Sequence, residues 1–329
     1  MVDVYTKKKR DELAFMWPLF FKDVVMKTIL IGSGAMGCLF GGFLTRAGED
    51  VQLLDVWPEH VEVIQEGGLS LVADGEVEKI AVDITLDAGR IRPAELIIIF
   101  VKHAHTGDAA KTAHRLLDDG GVVLTLQNGM GNAEILAERL GHERVVCGTT
   151  AQGAMLLGPG RVQHSGVGET VIGMWDGSDQ PVVSRIADYF TSAGIETRCV
   201  REIEPIVWNK LLVNVGINAI TALTGIRNGQ LLDRGSTRDL VTAAVQEAAT
   251  VASAHGVVIR KDFMEHVFQV AKATGTNRSS MGQDVDAHRE TEIQAINGYI
   301  VQKARERRLP VPVNETLSAL IMTLQDHYP

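Results

Sequence analysis

A polar stripe within an otherwise apolar stretch is the clearest chemical feature of the sequence. Lys210, Asn214 and Asn218 are spaced by four residues, and Thr221 follows three later, so all four share one face of a predicted helix. Apolar neighbours predict that this helix is buried on most sides. An amine and two amides inside a core cost free energy unless they find partners. A structural hydrogen-bond network is one explanation, and a functional site is the better one.

The residue types in this stripe suit one kind of reaction. Reduction of a ketone by hydride creates an alkoxide, which needs a proton. A lysine in a groove of low dielectric can have a lowered pKa and supply that proton. The neighbouring amides could hold carboxylate and hydroxyl groups of a small substrate. We therefore take Lys210 as the candidate acid, with Asn214 and Asn218 as candidate substrate ligands.

A second polar stretch leads into a long helix predicted over residues 279–308. Ser279 or Ser280 is predicted to cap this helix. The spacing of four and eight residues would place Ser280, Asp284 and Glu292 on one helix face. Acids on a helix usually only face solvent, so Glu292 alone is equally well explained as a surface residue.

A glycine-rich turn predicts a dinucleotide site. It consists of Gly32, Ser33, Gly34, Ala35, Met36 and Gly37, a GxGxxG pattern. The turn follows an apolar strand and opens a helix, which is the context that the motif requires. Its glycines permit a tight turn, close approach to a pyrophosphate and close helix–strand packing, and the N–H groups at the helix start would meet the negative charge. A glycine turn without a ligand is the alternative.

Asp55 bears on which dinucleotide binds. It lies 18 residues after Gly37, at the end of the second predicted strand, where an acid accepts the ribose hydroxyls of NAD. Its charge would repel the 2′-phosphate of NADP, and Val56, Trp57 and Pro58 offer no cation for that phosphate. We expect NADH to be preferred over NADPH. The alternative is that Asp55 only caps the turn.

Two further polar residues follow apolar strands, where ligands of open α/β sheets bind. Lys102 needs an anionic or solvent partner, and a cofactor phosphate or a substrate carboxylate would serve. Asn128 precedes Gly129, and this pair could equally form a simple turn. His103 and His105 lack a third ligand nearby, so they are weak candidates for a metal site or an acid.

These residues require an α/β framework. Continuous apolar runs that alternate with helical patterns predict a parallel sheet covered on both faces. Strands are predicted over residues 28–31, 51–54, 96–101, 122–126, 195–200 and from 145. Helices are predicted over residues 35–47, 183–193, 205–223, 237–255 and 279–308. An antiparallel hairpin is predicted over residues 161–173, with Gly166 and Gly168 in its middle.

The change of pattern near residue 200 predicts two domains. Residues 26–200 would form a Rossmann-type dinucleotide-binding domain, and residues 201–329 an all-α domain that carries the substrate and catalytic residues. Residues 1–25 are interpreted as an extension outside this core, since their apolar run of nine residues is too short to span a bilayer. The long predicted helix could also pack against a second subunit, which would make a homodimer.

Composition narrows the function classes. The 329 residues carry a formal charge of −9 and show no basic stripe, which argues against a nucleic-acid partner. Cys38, Cys147 and Cys199 are widely separated and form no CxxC pair, so we expect buried thiols rather than a zinc site or a disulfide. We expect a cytoplasmic protein with a small-molecule substrate and no membrane partner.

Taken in order, these motifs resemble the ketopantoate reductase family. The resemblance runs from Met26 almost to the end of the chain. Besides the glycine turn and the lysine stripe it includes Val101-Lys102, Gln127-Asn128-Gly129, Gly148-Thr149-Thr150, Trp208-Asn209-Lys210, Asn228-Gly229, and the block from Asn277 through Thr291-Glu292-Ile293 to Ile296-Asn297-Gly298. The resemblance implies reduction of 2-dehydropantoate to (R)-pantoate with NADPH or NADH, in a cleft between a Rossmann domain and a helical domain.

The resemblance also implies residue roles. Lys210 would be the general acid, and Glu292 would anchor the substrate and pair with that lysine. Asn214, Asn218, Asn228 and Ser280 would bind the substrate. Asn128 would lie near the nicotinamide and Lys102 near the cofactor. Asp55 departs from the basic residue typical of members that use NADPH. A D-2-hydroxyacid dehydrogenase of the same fold, acting on another branched 2-oxoacid, and a non-catalytic dinucleotide sensor are the alternatives.

Overall fold

The computed structural model describes residues 26–329, so the extension predicted for residues 1–25 lies outside the described residues. Within these residues, twelve strands form two sheets. They are β1 Thr28–Ile31, β2 Val51–Leu54, β3 Leu69–Ala73, β4 Glu76–Ile80, β5 Asp83–Thr85, β6 Ala94–Ile99, β7 Leu117–Thr125, β8 Val145–Thr150, β9 Gly153–Gly158, β10 Arg161–Gly166, β11 Thr170–Met174 and β12 Thr197–Cys199. The larger sheet has the order β12-β11-β8-β7-β6-β1-β2-β5.

The larger sheet is parallel except where β11 runs antiparallel to β8. Its central strands are continuous apolar runs because helices cover both of their faces, as predicted from the sequence. In this arrangement β1, β6 and β7 are neighbours, so the residues that follow them meet at one edge. That edge carries the glycine turn, Lys102 and Asn128, and parallel α/β sheets bind their ligands there.

The hairpin predicted over residues 161–173 is wrong. β10 pairs antiparallel with β9, which precedes it, and Gly160 at φ 64° permits the turn between them. β11 instead joins the larger sheet beside β8. It is buried at all five positions, which a central strand requires and an exposed hairpin strand does not. β4, β3, β10 and β9 form the smaller sheet.

Eleven α-helices accompany the sheets within the described residues. They are α1 Ala35–Arg46, α2 Pro58–Gly67, α3 Thr106–Leu116, α4 Asn132–Leu140, α5 Pro181–Ser192, α6 Glu204–Thr224, α7 Gly235–Ala254, α8 Phe263–Ala273, α9 Ser280–Asp286, α10 Asn297–Arg307 and α11 Pro312–Asp326. After β12 the described chain has no further strand. One buried cluster includes Ile99 of the sheet and Val207 of α6 together, and the division into two domains at residue 200 stays a prediction.

The single long helix predicted over residues 279–308 is wrong, because the chain forms α9 and α10 with a turn between them. His288 adopts a left-handed backbone with φ 50°, which ends the first helix. The N–H of Thr291 then donates to the side chain of Gln325 at 2.8 Å, which holds the intervening segment against α11. The predicted cap is confirmed, since the Ser279 hydroxyl accepts from the N–H of Gly282 at 3.0 Å.

Helix α6 is the longest and one of the most apolar helices of the described chain. It is long and apolar enough to cross a membrane by length and composition, yet 67 % of its most apolar window is buried inside the protein. The core helix of a globular protein passes the same test, because such a helix is also long and apolar. α6 contacts α7, α8, α9 and α11, so it runs through the centre of the helical part of the chain.

The three cysteines are free. Cys38 and Cys147 are buried, as expected, and burial raises the pKa of both thiols. The expectation of a buried thiol is wrong for Cys199, which is exposed because β12 forms the edge of the larger sheet.

Candidate active site

A cavity of about 820 Å³ opens at the carboxyl edge of the larger sheet, between that edge and helices α6 and α9. This volume is within the range of small-molecule sites. Its wall includes Gly32, Gly34, Ala35, Met36, Asp55, Lys102, Asn128, Lys210, Ser280 and Glu292. The sequence therefore identified residues that are distant along the chain and close in the folded protein.

The glycine turn fits a dinucleotide pyrophosphate. Gly32 has φ 95°, a conformation open to glycine and strained for other residues. A Cβ on Gly37 would collide with the carbonyl oxygen of Gly32, so a side chain there would break the contact between α1 and the turn. A Cβ on Gly34 would meet nothing within 4 Å, so this side of the turn is open to a ligand. No side chain caps the first turn of α1, whose N–H groups can meet an anion.

Asp55 braces the glycine turn. One carboxylate oxygen accepts from the N–H of Ser33 at 2.5 Å and from its hydroxyl at 2.7 Å. The other accepts from the N–H groups of Val56 at 2.8 Å and Trp57 at 3.0 Å. These contacts are those expected if Asp55 caps the turn, which was the alternative interpretation of this residue. The four donors match the four lone-pair positions of its carboxylate. The same contacts fix a negative charge on the wall of the cavity.

Lys210 projects from α6 into the cavity. Its Nζ donates to the carbonyl oxygen of Thr150 at 2.9 Å, and no carboxylate in the described chain lies within 4 Å of it. Burial lowers the pKa of Lys210 from 10.5 to about 8, because the charged form loses solvation without gaining a counter-ion. The amine therefore holds a proton near neutral pH and can release it readily.

Glu292 lies in the turn between α9 and α10 and is largely buried. Its Oε2 accepts from the N–H of His103 at 3.2 Å, and its Oε1 lies 3.9 Å from Nζ of Lys102. Burial raises the Glu292 pKa to about 7, and Lys102 reduces that rise. The expected pair between Glu292 and Lys210 is wrong for this structure, since Lys102 is the cation that approaches Glu292.

Lys102 is held by acids of the helical part of the chain. Its Nζ lies 2.5 Å from Asp284 Oδ2, and Arg289 approaches the other oxygen of the same carboxylate at 3.3 Å. Asp284 is buried and lies on α9. This ion pair joins the end of the β6 region to α9 across the cavity.

Three of the predicted substrate ligands are not part of the cavity wall. Asn214 and Asn218 lie on the same helix as Lys210, yet neither lines the cavity. The Nδ2 of Asn214 is buried without a hydrogen-bond partner in the described chain. Asn228 donates through Nδ2 to Thr274 Oγ1 at 2.9 Å, away from the cavity. Their roles in substrate binding stay predictions.

Arg278 fixes the position of α9 relative to α6. Its guanidinium donates to the carbonyl oxygens of Thr221 at 2.5 Å and Ile226 at 3.0 Å, near the end of α6. It also forms two hydrogen bonds of 2.8 Å with Asp286 of α9. Such bidentate pairs are geometrically specific, so this residue helps to keep Ser280 on the same cavity as Lys210.

Some residues of the cavity wall carried no usable signal in the sequence. Ala154, Met155 and Leu156 of the edge strand β9 form part of the wall, together with Gln152. Gln152 is held by His164, whose Nε2 lies 2.9 Å from its Oε1. Their placement depends on the pairing of β9 with β10 and of β10 with β3, which local patterns do not reveal. The pairing of Asp284 with Lys102, 182 residues away, is of the same kind.

The two histidines after β6 do not form a metal site. No group of three or more His, Cys, Asp or Glu residues arranged to hold a metal occurs among residues 26–329. His103 contributes its backbone N–H to Glu292, and its Nδ1 lies 2.8 Å from Asn132 Oδ1. The exposed His105 lies 3.8 Å from Glu290.

Comparison with known proteins gives consistent matches over almost the whole described chain. The family model described as "Ketopantoate reductase PanE/ApbA" matches residues 28–177, and its C-terminal counterpart matches residues 202–325. A 2-dehydropantoate 2-reductase of Halobacterium salinarum is 38 % identical over 301 residues, which is 91 % of this chain and 99 % of the relative. The corresponding protein of Pyrococcus abyssi is 35 % identical, covering 90 % of this chain and 97 % of the relative.

Solved structures agree with these matches. A crystal structure of a PanE/ApbA family ketopantoate reductase from Ralstonia eutropha JMP134 has a TM-score of 0.85 and 31 % identity, covering 92 % of this chain and 99 % of that one. A ternary structure of D-mandelate dehydrogenase with NADH and anilino(oxo)acetate also has a TM-score of 0.85, with 27 % identity, covering 91 % and 98 %.

Proposed function

The chain belongs to the ketopantoate reductase family, and we propose that it reduces 2-dehydropantoate to (R)-pantoate, a step of pantothenate biosynthesis, with Lys210 as the proton donor. It is an NAD(P)-dependent oxidoreductase that acts on CH–OH groups. The observation that carries the proposal is the buried amine of Lys210, which faces the same cavity as the glycine turn and has no carboxylate partner.

The residues of the cavity can divide the reaction between them. The glycine turn would hold the dinucleotide, which when bound would supply a hydride for the keto carbon of the substrate. The carbon–oxygen double bond then becomes a single bond, and its oxygen gains an electron pair that must take up a proton. Protonated Lys210 donates that proton and becomes a neutral amine, a form that burial already favours. Ser280 and Glu292 line the same cavity and would orient the substrate.

A second candidate is an NAD-dependent D-2-hydroxyacid dehydrogenase that acts on another branched 2-oxoacid. The negative charge of Asp55 on the cavity wall favours it, since such enzymes use NADH. The structural similarity to D-mandelate dehydrogenase, which was solved with NADH, supports the same possibility. Both candidates use the same hydride and proton transfers and differ in the group attached to the keto carbon.

A panel of 2-oxoacids distinguishes the two candidates. We expect 2-dehydropantoate to give a higher kcat/KM than 2-oxoisovalerate or phenylglyoxylate when each is assayed with NADH and with NADPH. The hydroxyl of 2-dehydropantoate offers a hydrogen bond that the other two acids lack, and an unpaired polar group in the site costs affinity. Faster turnover of either other acid would favour the second candidate, and turnover of none would reject both.

The cofactor preference is a separate prediction. We expect kcat/KM with NADH to exceed that with NADPH by about tenfold or more, because a carboxylate facing a 2′-phosphate is a like-charge contact. Asp55→Ala should lower the ratio of kcat/KM with NADH to kcat/KM with NADPH. Asp50→Ala is the matched control, since Asp50 is exposed at the opposite end of the same strand. Equal or better turnover with NADPH in the unmodified protein would contradict the prediction.

A further inference from the structure

The loop after β7 and the turn that carries Glu292 meet through their backbones. The N–H of Met130 donates to the carbonyl oxygen of Ala295 at 2.8 Å. Gly129 has φ 82°, and a Cβ built on it would lie 2.6 Å from Cβ of Ala295 and collide with the Ala295 carbonyl oxygen. Two separate constraints therefore require glycine at position 129: its left-handed backbone conformation and the lack of space for a Cβ.

Ala295 is rigidly connected to Glu292. The N–H groups of Ala295 and Ile296 both donate to the carbonyl oxygen of Glu292 at 3.1 Å, and the N–H of Gly298 donates to Ile293 at 2.9 Å. Ala295 is fully buried. A displacement of the Ala295 backbone would therefore move Glu292 with it.

The other side of the contact also leads to the cavity. Asn128, the residue before Gly129, lines the cavity, and its carbonyl oxygen accepts from Asn132 Nδ2 at 3.4 Å. The contact at Gly129 thus sets the distance between the loop that carries Asn128 and the turn that carries Glu292. The remaining links of Glu292 to the sheet run through the N–H of His103 and the amine of Lys102.

We infer that Gly129 is a positioning residue for the reduction, because it lets the backbones approach closely enough to hold Glu292 against the cavity. It acts through Glu292 and does not touch the substrate itself. The inference rests on the proposed function, since it assigns to Glu292 a part in binding the 2-oxoacid. Neither the glycine turn nor Asp55 depends on this contact.

The test is Gly129→Ala in the full chain. We expect a loss of about 10²-fold in kcat/KM for the 2-oxoacid, with a raised KM, because a misplacement of roughly 1 Å has effects of that size. The Kd for NADH, measured by protein fluorescence, should change less than the KM for the 2-oxoacid, because the turn at residues 32–37 that would hold the pyrophosphate is distant from the change.

Gly120→Ala is the matched control. Gly120 has φ 80°, close to that of Gly129, and a Cβ there would meet nothing within 4 Å. The control therefore introduces the same backbone strain without the collision, and we expect it to keep kcat/KM within about threefold of the unmodified protein. An equal loss in both glycine variants would overturn the inference and leave the proposed function intact.

A double-mutant cycle tests whether Gly129 acts through Glu292. In a Glu292→Gln background, Gly129→Ala should cost less than about threefold, because residues that act together are not additive. Additive losses would overturn the inference.

If Gly129→Ala fails to fold, Ala295→Ser is the second test. It adds one atom on the other side of the contact and should also raise the KM for the 2-oxoacid. An unchanged KM in that variant would count against the inference. If the unmodified protein turns over no 2-oxoacid, the proposed function itself fails.

Discussion

Replacing Lys210 by alanine should lower kcat for 2-oxoacid reduction by about 10²-fold or more, the size expected for a positioned acid. The amine lies in the cavity without a carboxylate partner, and burial brings its pKa to about 8, a value suited to donating a proton near neutral pH. Steady-state kinetics with saturating 2-oxoacid and NADH measure this directly. NADH binding should change little, since the glycine turn is formed by residues 32–37.

The control for this variant is Lys111→Ala. Lys111 is an exposed lysine of α3, and its one ion pair among residues 26–329 joins it to Asp108 on the same helix surface. Its removal should leave kcat within about twofold, as exposed pairs contribute little. Near-normal turnover in the Lys210 variant would remove the role assigned to that residue. Binding of NADH without turnover of any 2-oxoacid by the unmodified protein would instead favour a protein that binds the dinucleotide without reducing a substrate.

Replacing Glu292 by glutamine should have two opposite effects, a loss of activity and a gain in stability. Burial raises the Glu292 pKa from 4.5 to about 7. Between pH 4.5 and pH 7 the folded protein therefore keeps a proton on Glu292 that the unfolded chain has released. The contribution of Glu292 to the free energy of unfolding therefore falls as pH rises from 4.5 to 7. The full destabilisation by the buried carboxylate is present above pH 7. Glutamine has no such cost, and the gain above pH 7 is on the order of 3 kcal/mol.

Urea unfolding at pH 8 and at pH 4 measures this difference. The glutamine variant should be more stable than the unmodified protein at pH 8 and almost equally stable at pH 4, where Glu292 is mostly protonated in both the folded and the unfolded state. Glu290→Gln is the matched control, because Glu290 lies two residues earlier with a side chain about half exposed. A Glu292 variant that is less stable at pH 8 would show that its contacts to His103 and Lys102 outweigh the cost of burial.

The local features of this protein were predictable from the sequence. The strands at residues 28–31 and 51–54 and the helix carrying Lys210 agree with prediction, because each depends on periodicity over a few residues. The glycine turn was predictable for the same reason, since its conformational demands are written into Gly32, Gly34 and Gly37. The lysine face of α6 followed from the helical spacing alone.

The predictions that were wrong concern features that depend on contacts between distant parts of the chain. The break between α9 and α10 is stabilised by Gln325, 34 residues after the N–H that it accepts from, and no residue near position 288 signals it strongly. The partner of Glu292 is Lys102 rather than Lys210, because the turn places the carboxylate beside the end of the β6 region. The sequence around Gly129 indicates only a turn, and its contact with Ala295 depends on the fold.

The pH dependence of kcat/KM for 2-oxoacid reduction tests the central claim most directly. Because only protonated Lys210 can donate a proton, kcat/KM should fall as pH rises through a value near the Lys210 pKa of about 8. The measurement uses the unmodified protein with 2-dehydropantoate limiting and the dinucleotide saturating. A fall centred near pH 8 is the predicted result, and a kcat/KM that stays constant from about pH 7 to about pH 10 would contradict the assignment of Lys210 as the acid.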